Sequence, residues 1–164
     1  MDDVERRVRR LAAGLATPGV EVVDCDPDLA DTAAFCAAYG YALQDSANAI
    51  VVVGKSDPPR FACCVALATT RLDVNKAVRH RLDVRKASFA PAELTAELTG
   101  MAIGGVTPLD LPAHLPLWID GAVMERPRII VGGGSRSCKI VGPPAMLLEL
   151  PGAEVVDGLA TPAG

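Results

Sequence analysis

Hydrophobic side chains near the start of the chain recur at Val4, Val8, Leu11 and Leu15, with charged residues between them, until Thr17-Pro18-Gly19 breaks the run. That period predicts an amphipathic helix over the first 16 residues. Residues 20–24 (VEVVD) read as a short strand. Asp26-Pro27 then offers an N-cap followed by proline at the first helical position, and the Ala-rich helix it opens is expected to close at Gly40. Two β-branched runs follow, residues 49–54 (AIVVVG) and 61–68 (FACCVALA), separated by KSDPPR. Asp-Pro-Pro is turn chemistry, so the two runs predict a central hairpin.

Asp73 can cap a helix through about Arg81, and residues 91–98 (PAELTAEL) predict another, with Gly100 as its stop. Beyond it, TGMAIGGVTPLDLP (99–112) carries two adjacent glycines and a Thr-Pro step. The segment has two readings. It is a turn, since glycine tolerates positive φ and proline fixes φ; or Gly104 and Gly105 bring bare main-chain N–H groups close to an anion or a developing oxyanion. Strands are expected at 115–120 (LPLWID), 128–132 (RIIVG) and 154–157 (EVVD), with the loop GGGSRSCK after the second and a closing helix near 144–150. Short strands interleaved with short helices, some joined by tight hairpins, predict an α/β domain with a mixed sheet.

Composition sharpens this picture. A chain of 164 residues, half of them hydrophobic and only 4% aromatic, must build its core from Ala, Val, Leu and Ile. The first ten residues are charged throughout, and no apolar run approaches the roughly 18 residues of a membrane helix, so neither a signal peptide nor a membrane span is expected. Cys25, Cys36, Cys63, Cys64 and Cys138 lack paired Cys-x-x-Cys spacing, which argues against a zinc site or a disulfide framework and fits a reducing cytoplasm.

The net charge of −4 is unevenly spread. Residues 55–86 hold eight Lys/Arg against three Asp, whereas the flanking segments are both acidic. A basic central third is a candidate phosphate-facing surface, although DVNKAVRHRLDVRK also reads as a solvated helix face.

Isolated motifs carry little. His80 and His114 have no carboxylate or cysteine at ligand spacing, so no metal site is expected. VGGGSRSC resembles a phosphate-cradling loop but lacks the Gly-Lys-Ser/Thr ending of a P-loop and the spacing of a dinucleotide fingerprint. No G-x-S-x-G elbow exists. Cys63-Cys64 falls inside an apolar strand, where an inert packed thiol is expected.

The order of several motifs along one chain says more. DSANAIVVV, TTRLDVNKAVRHRLDVRKASFA, TGMAIGGVTPL, LWIDGAV and IIVGGGSRS, in that order, resemble the YbaK/EbsC family of aminoacyl-tRNA deacylases, which includes Cys-tRNA(Pro) deacylases and the editing domains of prolyl-tRNA synthetase. The likeness runs from about Tyr41 to Ala160. It implies a compact domain with a mixed barrel-like sheet and flanking helices; chain length and the low-complexity end ATPAG set the expected bounds, a single domain over residues 1–160 and a flexible tail at 161–164. It also implies hydrolysis of the ester joining a wrong amino acid to the terminal adenosine of a tRNA, without metal or organic cofactor. The implied partners are the acceptor end of an aminoacyl-tRNA and a synthetase, not a membrane.

Carried over residue by residue, Gly104, Gly105, Thr107 and Pro108 belong to the family's substrate loop. Asp120 matches the aspartate ending a core strand, and Gly133, Gly134 and Arg136 match the second glycine loop. The family's central lysine is replaced here by Asn48, which can donate a hydrogen bond but supplies no charge. On this reading the N–H groups around Gly104 to Val106 face the scissile carbonyl, Asn48 orients the ester or a water, and Arg71, Lys76, Arg79, Arg85 and Arg136 contact phosphates. Two other readings stay open: a tRNA-binding or regulatory module that lost catalysis with the lysine, and a small-ligand or nucleotide-binding domain using both glycine loops.

Overall fold

In the computed structural model, which describes residues 1–163, the elements run α1 Asp3–Ala13, β1 Glu21–Asp24, α2 Thr32–Tyr39, β2 Ala47–Gly54, β3 Arg60–Leu67, β4 Thr70–Leu72, α3 Arg79–Leu82, β5 Ala87–Phe89, α4 Ala92–Thr99, β6 Leu117–Asp120, β7 Ile129–Gly132, β8 Cys138–Gly142, β9 Ala153–Val156 and β10 Ala160–Pro162. Asp2 caps α1 by accepting the Glu5 N–H at 2.7 Å. The helix buries Val8 and Ala12, while Leu11, expected on the buried stripe, is exposed.

The strands form a five-stranded sheet ordered β5-β2-β3-β6-β9, a three-stranded sheet ordered β1-β8-β7, and the pair β10-β4. The expected hairpin is β2–β3, in continuous antiparallel register from Ala47↔Leu67 to Gly54↔Arg60. β3 pairs with β6, and β6 with β9, in parallel, so the sheet is mixed as predicted. A single parallel bridge, Ser46↔Ile130, links the two larger sheets at the start of β2. The arrangement is barrel-like without closing into a barrel.

Three apolar clusters explain the layering. Cys63, Val65 and Leu67 of β3 meet Ile129 and Val131 of β7, Ile140 of β8 and Val8 of α1 in the main core. The alternate residues of β3, Ala62, Cys64 and Ala66, meet Val74, Val78 and Leu82 on the other face. A strand buried on both faces reads as an unbroken apolar run, which is what FACCVALA is. On the outer face of the three-stranded sheet, Ile130 and Val141 pack against Phe35 and Cys36 of α2.

Several expected boundaries move. The helix expected from Asp26 to Gly40 splits: Asp26 caps a 3-10 turn, Pro27–Leu29, and α2 starts afresh after Asp31, whose backbone is extended. A second acidic N-cap residue interrupts the run and sets the start of α2 beside β2. The helix expected from Asp73 opens as a π turn, Val74–Val78, because the Val78 N–H reaches back to the Asp73 carbonyl. The closing helix is 3-10 over Pro144–Glu149. The short strands β4, β5 and β10 went unread for want of alternation over three residues, and β8 because it begins inside GGGSRSCK, which reads as a loop. In β10, Thr161 and Pro162 lie opposite Arg71 and Thr70, so two of the residues expected in a flexible tail are paired.

Asp120, expected to bind substrate, holds that last strand. It is 2% exposed, and its Oδ1 accepts the Ala160 N–H at 3.0 Å. A buried carboxylate with a main-chain donor is a structural anchor, and losing a hydrogen bond to a charged group costs about 1.5–3 kcal/mol. Asp120→Ala is therefore expected to lower the unfolding free energy by about that amount in urea titrations, whereas Asp120→Asn, which keeps an acceptor oxygen, loses less.

Candidate functional site

The outer edge of β2 is paired at both ends and open in the middle. β5 covers only Val52–Gly54, with one further bond from the Ala90 N–H to the Val51 carbonyl at 2.9 Å, and β7 touches only at Ser46. Antiparallel strands alternate the direction of their main-chain groups. Since Val51 points outward from β3, so does Ala49, and its N–H and carbonyl face the gap.

A cavity of about 520 Å³ fills that gap. Its walls include Ala30, Ala47, Ala49, Ala90, Gly104 and Gly132, side chains too short to close the space. Phe89 and Ile103, 54% and 62% exposed, form an apolar rim at its mouth.

Its polar groups are few. Asn48 enters from β2, and its Oδ1 accepts the Thr32 hydroxyl at 3.2 Å from the first turn of α2. That contact turns the amide so that its NH₂ is unbonded among the described residues. Asp31 lines the rim and pairs with Arg136 at 3.2 Å; Arg136 also donates through Nε to the Pro27 carbonyl at 3.1 Å. Lys139 of β8, only 8% exposed, lines the inner wall, with its ammonium 5.8 Å from the centre of the Phe35 ring. Burial pushes its pKa below the usual lysine range, and the Arg136 charge adds to this against the opposing pull of Cys25 and Asp31.

The two glycine loops pack on each other. Gly104 adopts φ of +92°, and the Arg136 guanidinium crosses the space its side chain would fill. A Cβ on Gly105 would lie 2.9–3.0 Å from Ser135 main-chain atoms, and one on Gly132 would overlap the Val106 carbonyl oxygen. The Gly134 N–H donates to the Gly105 carbonyl at 2.8 Å.

These contacts redistribute the expected roles. Gly104 and Val106 line the cavity, but Gly105 does not, and its N–H is bound to the Ala102 carbonyl at 3.0 Å. Thr107 and Pro108 are buried off the cavity wall; the Thr107 hydroxyl accepts the Leu109 N–H at 3.3 Å and its own N–H meets the Met101 sulfur. Gly133 and Gly134 are buried behind the wall, the first against Cys138 and the second against Val8.

Arg71, Lys76, Arg79 and Arg85 lie away from the cavity, on β4, the π turn, α3 and the segment before β5, all on the outer side of the five-stranded sheet. Arg71, Lys76 and Arg85 are exposed and make no ion pair among the described residues. Arg79 instead donates to the Asn75 carbonyl at 2.8 Å. The cysteines are all buried and free. Burial pushes the Cys63 thiol up to about 12 and the Cys64 thiol higher still, so both stay protonated and inert, as expected for packed thiols. No group of three or more His, Cys, Asp or Glu among the described residues is placed to hold a metal ion, and no helix among them is long and apolar enough to cross a membrane.

Sequence reasoning missed Lys139, because GGGSRSCK reads as loop to its last residue. The signal lay one step further on: CKIVG is an apolar strand with one lysine, placed on the same face as Val141.

The family model of the aminoacyl-tRNA editing domain matches residues 26–150, and the chain belongs to that family. Among solved structures, it is similar to a proposed trans-editing enzyme for prolyl tRNA synthetase, at 25% identity and a TM-score of 0.82, with 100% of this chain and 99% of the other covered. It is also similar in fold to the hypothetical protein APE2540, at 23% identity and a TM-score of 0.79 over 97% and 99% of the two chains. A signal transduction protein assignment from Marinobacter aquaeolei VT8 shares the fold at 17% identity and a TM-score of 0.59, over 94% of this chain and 30% of that one.

The interlock of the loops makes a test. Gly105→Ala drives a methyl group into the Ser135 main chain, and overpacking of this kind costs about 1–3 kcal/mol. Thermal melts and activity are expected to fall together, marking Gly105 as a packing residue that supports the cavity wall.

Proposed function

We propose that this protein hydrolyses the ester of a mischarged aminoacyl-tRNA, acting on tRNA charged elsewhere, in the cytoplasm where tRNAs are aminoacylated. The observation that carries the reading is the open stretch of β2: an editing-family fold that keeps a cavity between unpaired main-chain groups of its central strand and a glycine loop. The terminal adenosine fits the rim, where the exposed Phe89 ring offers a stacking surface, and the amino acid enters between Ala49 and Val106. The small side chains there set a size limit on what is accepted, as editing sites require.

The chemistry asks little of side chains, since the ester is already activated. A water oxygen attacks the carbonyl carbon, the carbonyl oxygen gains negative charge, and collapse breaks the bond to the ribose oxygen. The proton lost by water ends on that oxygen, giving a free amino acid and a tRNA with its hydroxyl restored. The outward N–H of Ala49 and the Asn48 amide are two donors that orient the ester. The only carboxylate on the wall, Asp31, is engaged by Arg136, so proton transfer falls to the substrate's neighbouring ribose hydroxyl or to water.

Asn48 favours a second reading, a module that binds the acceptor end without cleaving it. A deacylation assay over a panel of mischarged tRNAs separates the two, with the native chain and Asn48→Lys side by side. The native chain is expected to release at least one amino acid, and Asn48→Ala to lower kcat/KM roughly 3- to 10-fold, the worth of one neutral hydrogen bond. Binding of tRNA by both the native chain and Asn48→Lys without release by either establishes the module.

The unpaired cations on the outer face supply the expected phosphate contacts. Affinity for tRNA is expected to fall as salt rises, and replacing Lys76 and Arg85 together by Gln to flatten the salt slope by one to two units of log K per log salt. A slope unchanged by that substitution removes these residues from the tRNA interface.

A further inference from the structure

Among the described residues four charged side chains are buried, and three have carboxylate, guanidinium or hydrogen-bonding partners. Glu5 accepts the Ser135 hydroxyl at 2.5 Å and faces Arg9, Asp45 pairs with Arg126 at 2.8 Å, and Asp120 accepts the Ala160 N–H. Lys139 is the exception: among the described residues no carboxylate lies within 4 Å of its ammonium and no hydrogen bond satisfies it.

The ammonium is not sealed in the core but opens on the cavity, so a ligand there that brings negative charge can pair with it. Lys139 faces both the main cavity and a recess of about 20 Å³ behind it, which it shares with Thr32, Asn48 and Gly132. Gly132 stands directly opposite it in the β7–β8 register and puts no side chain over it. The cation absent at Asn48 thus reaches the same space from a different strand.

We propose that the Lys139 ammonium meets the ester carbonyl oxygen of the substrate and stabilises the negative charge that develops there. This rests on the hydrolytic reading above. Around the ammonium stand the Phe35 ring of α2, the thiols of Cys25, Cys36 and Cys138, and the Asp31–Arg136 pair. Burial raises all three thiols, Cys138 to about 11. The charged form exists below the Lys139 pKa and is lost above it. Activity therefore declines on the alkaline side, and burial brings that decline below the ordinary lysine range.

The test compares native chain, Lys139→Met and Lys139→Arg on a mischarged tRNA that the native chain deacylates in the panel, with melting temperatures measured alongside. Lys139→Met is expected to lower kcat about 100-fold or more with little change in KM, as for loss of an oxyanion donor, and to melt no lower than the native chain. Lys139→Arg is expected to recover part of the activity and to remove the alkaline decline. A Lys139→Met variant as active as the native chain overturns the proposal and leaves the hydrolytic reading standing. So does a raised KM at unchanged kcat, the mark of a ground-state anchor, or a melting temperature that falls with activity. A native chain that binds tRNA but releases no amino acid from any member of the panel overturns both.

Discussion

The candidate site depends on one close approach: the Val106 carbonyl occupies the space where Gly132 would carry a side chain, while Gly105 lies flat against Ser135. Two loops far apart in sequence are thereby locked into one wall, tied by the Gly134 to Gly105 hydrogen bond. Because that wall cannot slide, the space between it and the edge of β2 keeps its width. Every group assigned a role, whether on β2, on α2 or on β8, is placed relative to it.

The central hairpin was legible because β3 is buried on both faces and its apolar run is unbroken, a signal that survives without alternation. The mixed sheet followed from the mixture of hairpin spacing and helical crossovers. What escaped was local. A three-residue strand such as β5 carries too few positions to show a period, and the break before α2 falls at Asp31, whose extended backbone the Ala-rich pattern concealed. Within the candidate site, residue type alone did not say which atoms face the cavity. Gly104 and Gly105 are neighbours of the same type, yet one faces the cavity and the other faces Ser135, a distinction set entirely by tertiary contact. Asp120 shows the same limit: an aspartate ending a strand looks the same in sequence whether or not it turns to the Ala160 N–H.

The cavity and the basic surface divide labour across the five-stranded sheet. The cavity is lined by small apolar residues and a handful of polar groups, whereas the cations of residues 71–85 sit beyond the opposite face, held there by Val74, Val78 and Leu82 turned inward. β5 joins the two regions, since it follows directly from the basic segment and ends at Phe89 on the cavity rim. The chain thus runs from charge to cavity within one short strand.

An exposed strand edge ordinarily invites another chain to pair with it, and a central strand left bare for its whole length is a template for aggregation. Here the bare stretch spans only the few residues between the Ser46 bridge and the first bond to β5. A foreign strand finds room for too few rungs to hold on, and the rim residues deny it a straight approach. The fold can leave main-chain donors free at its centre because the opening is too short for self-association and long enough for the end of one small molecule.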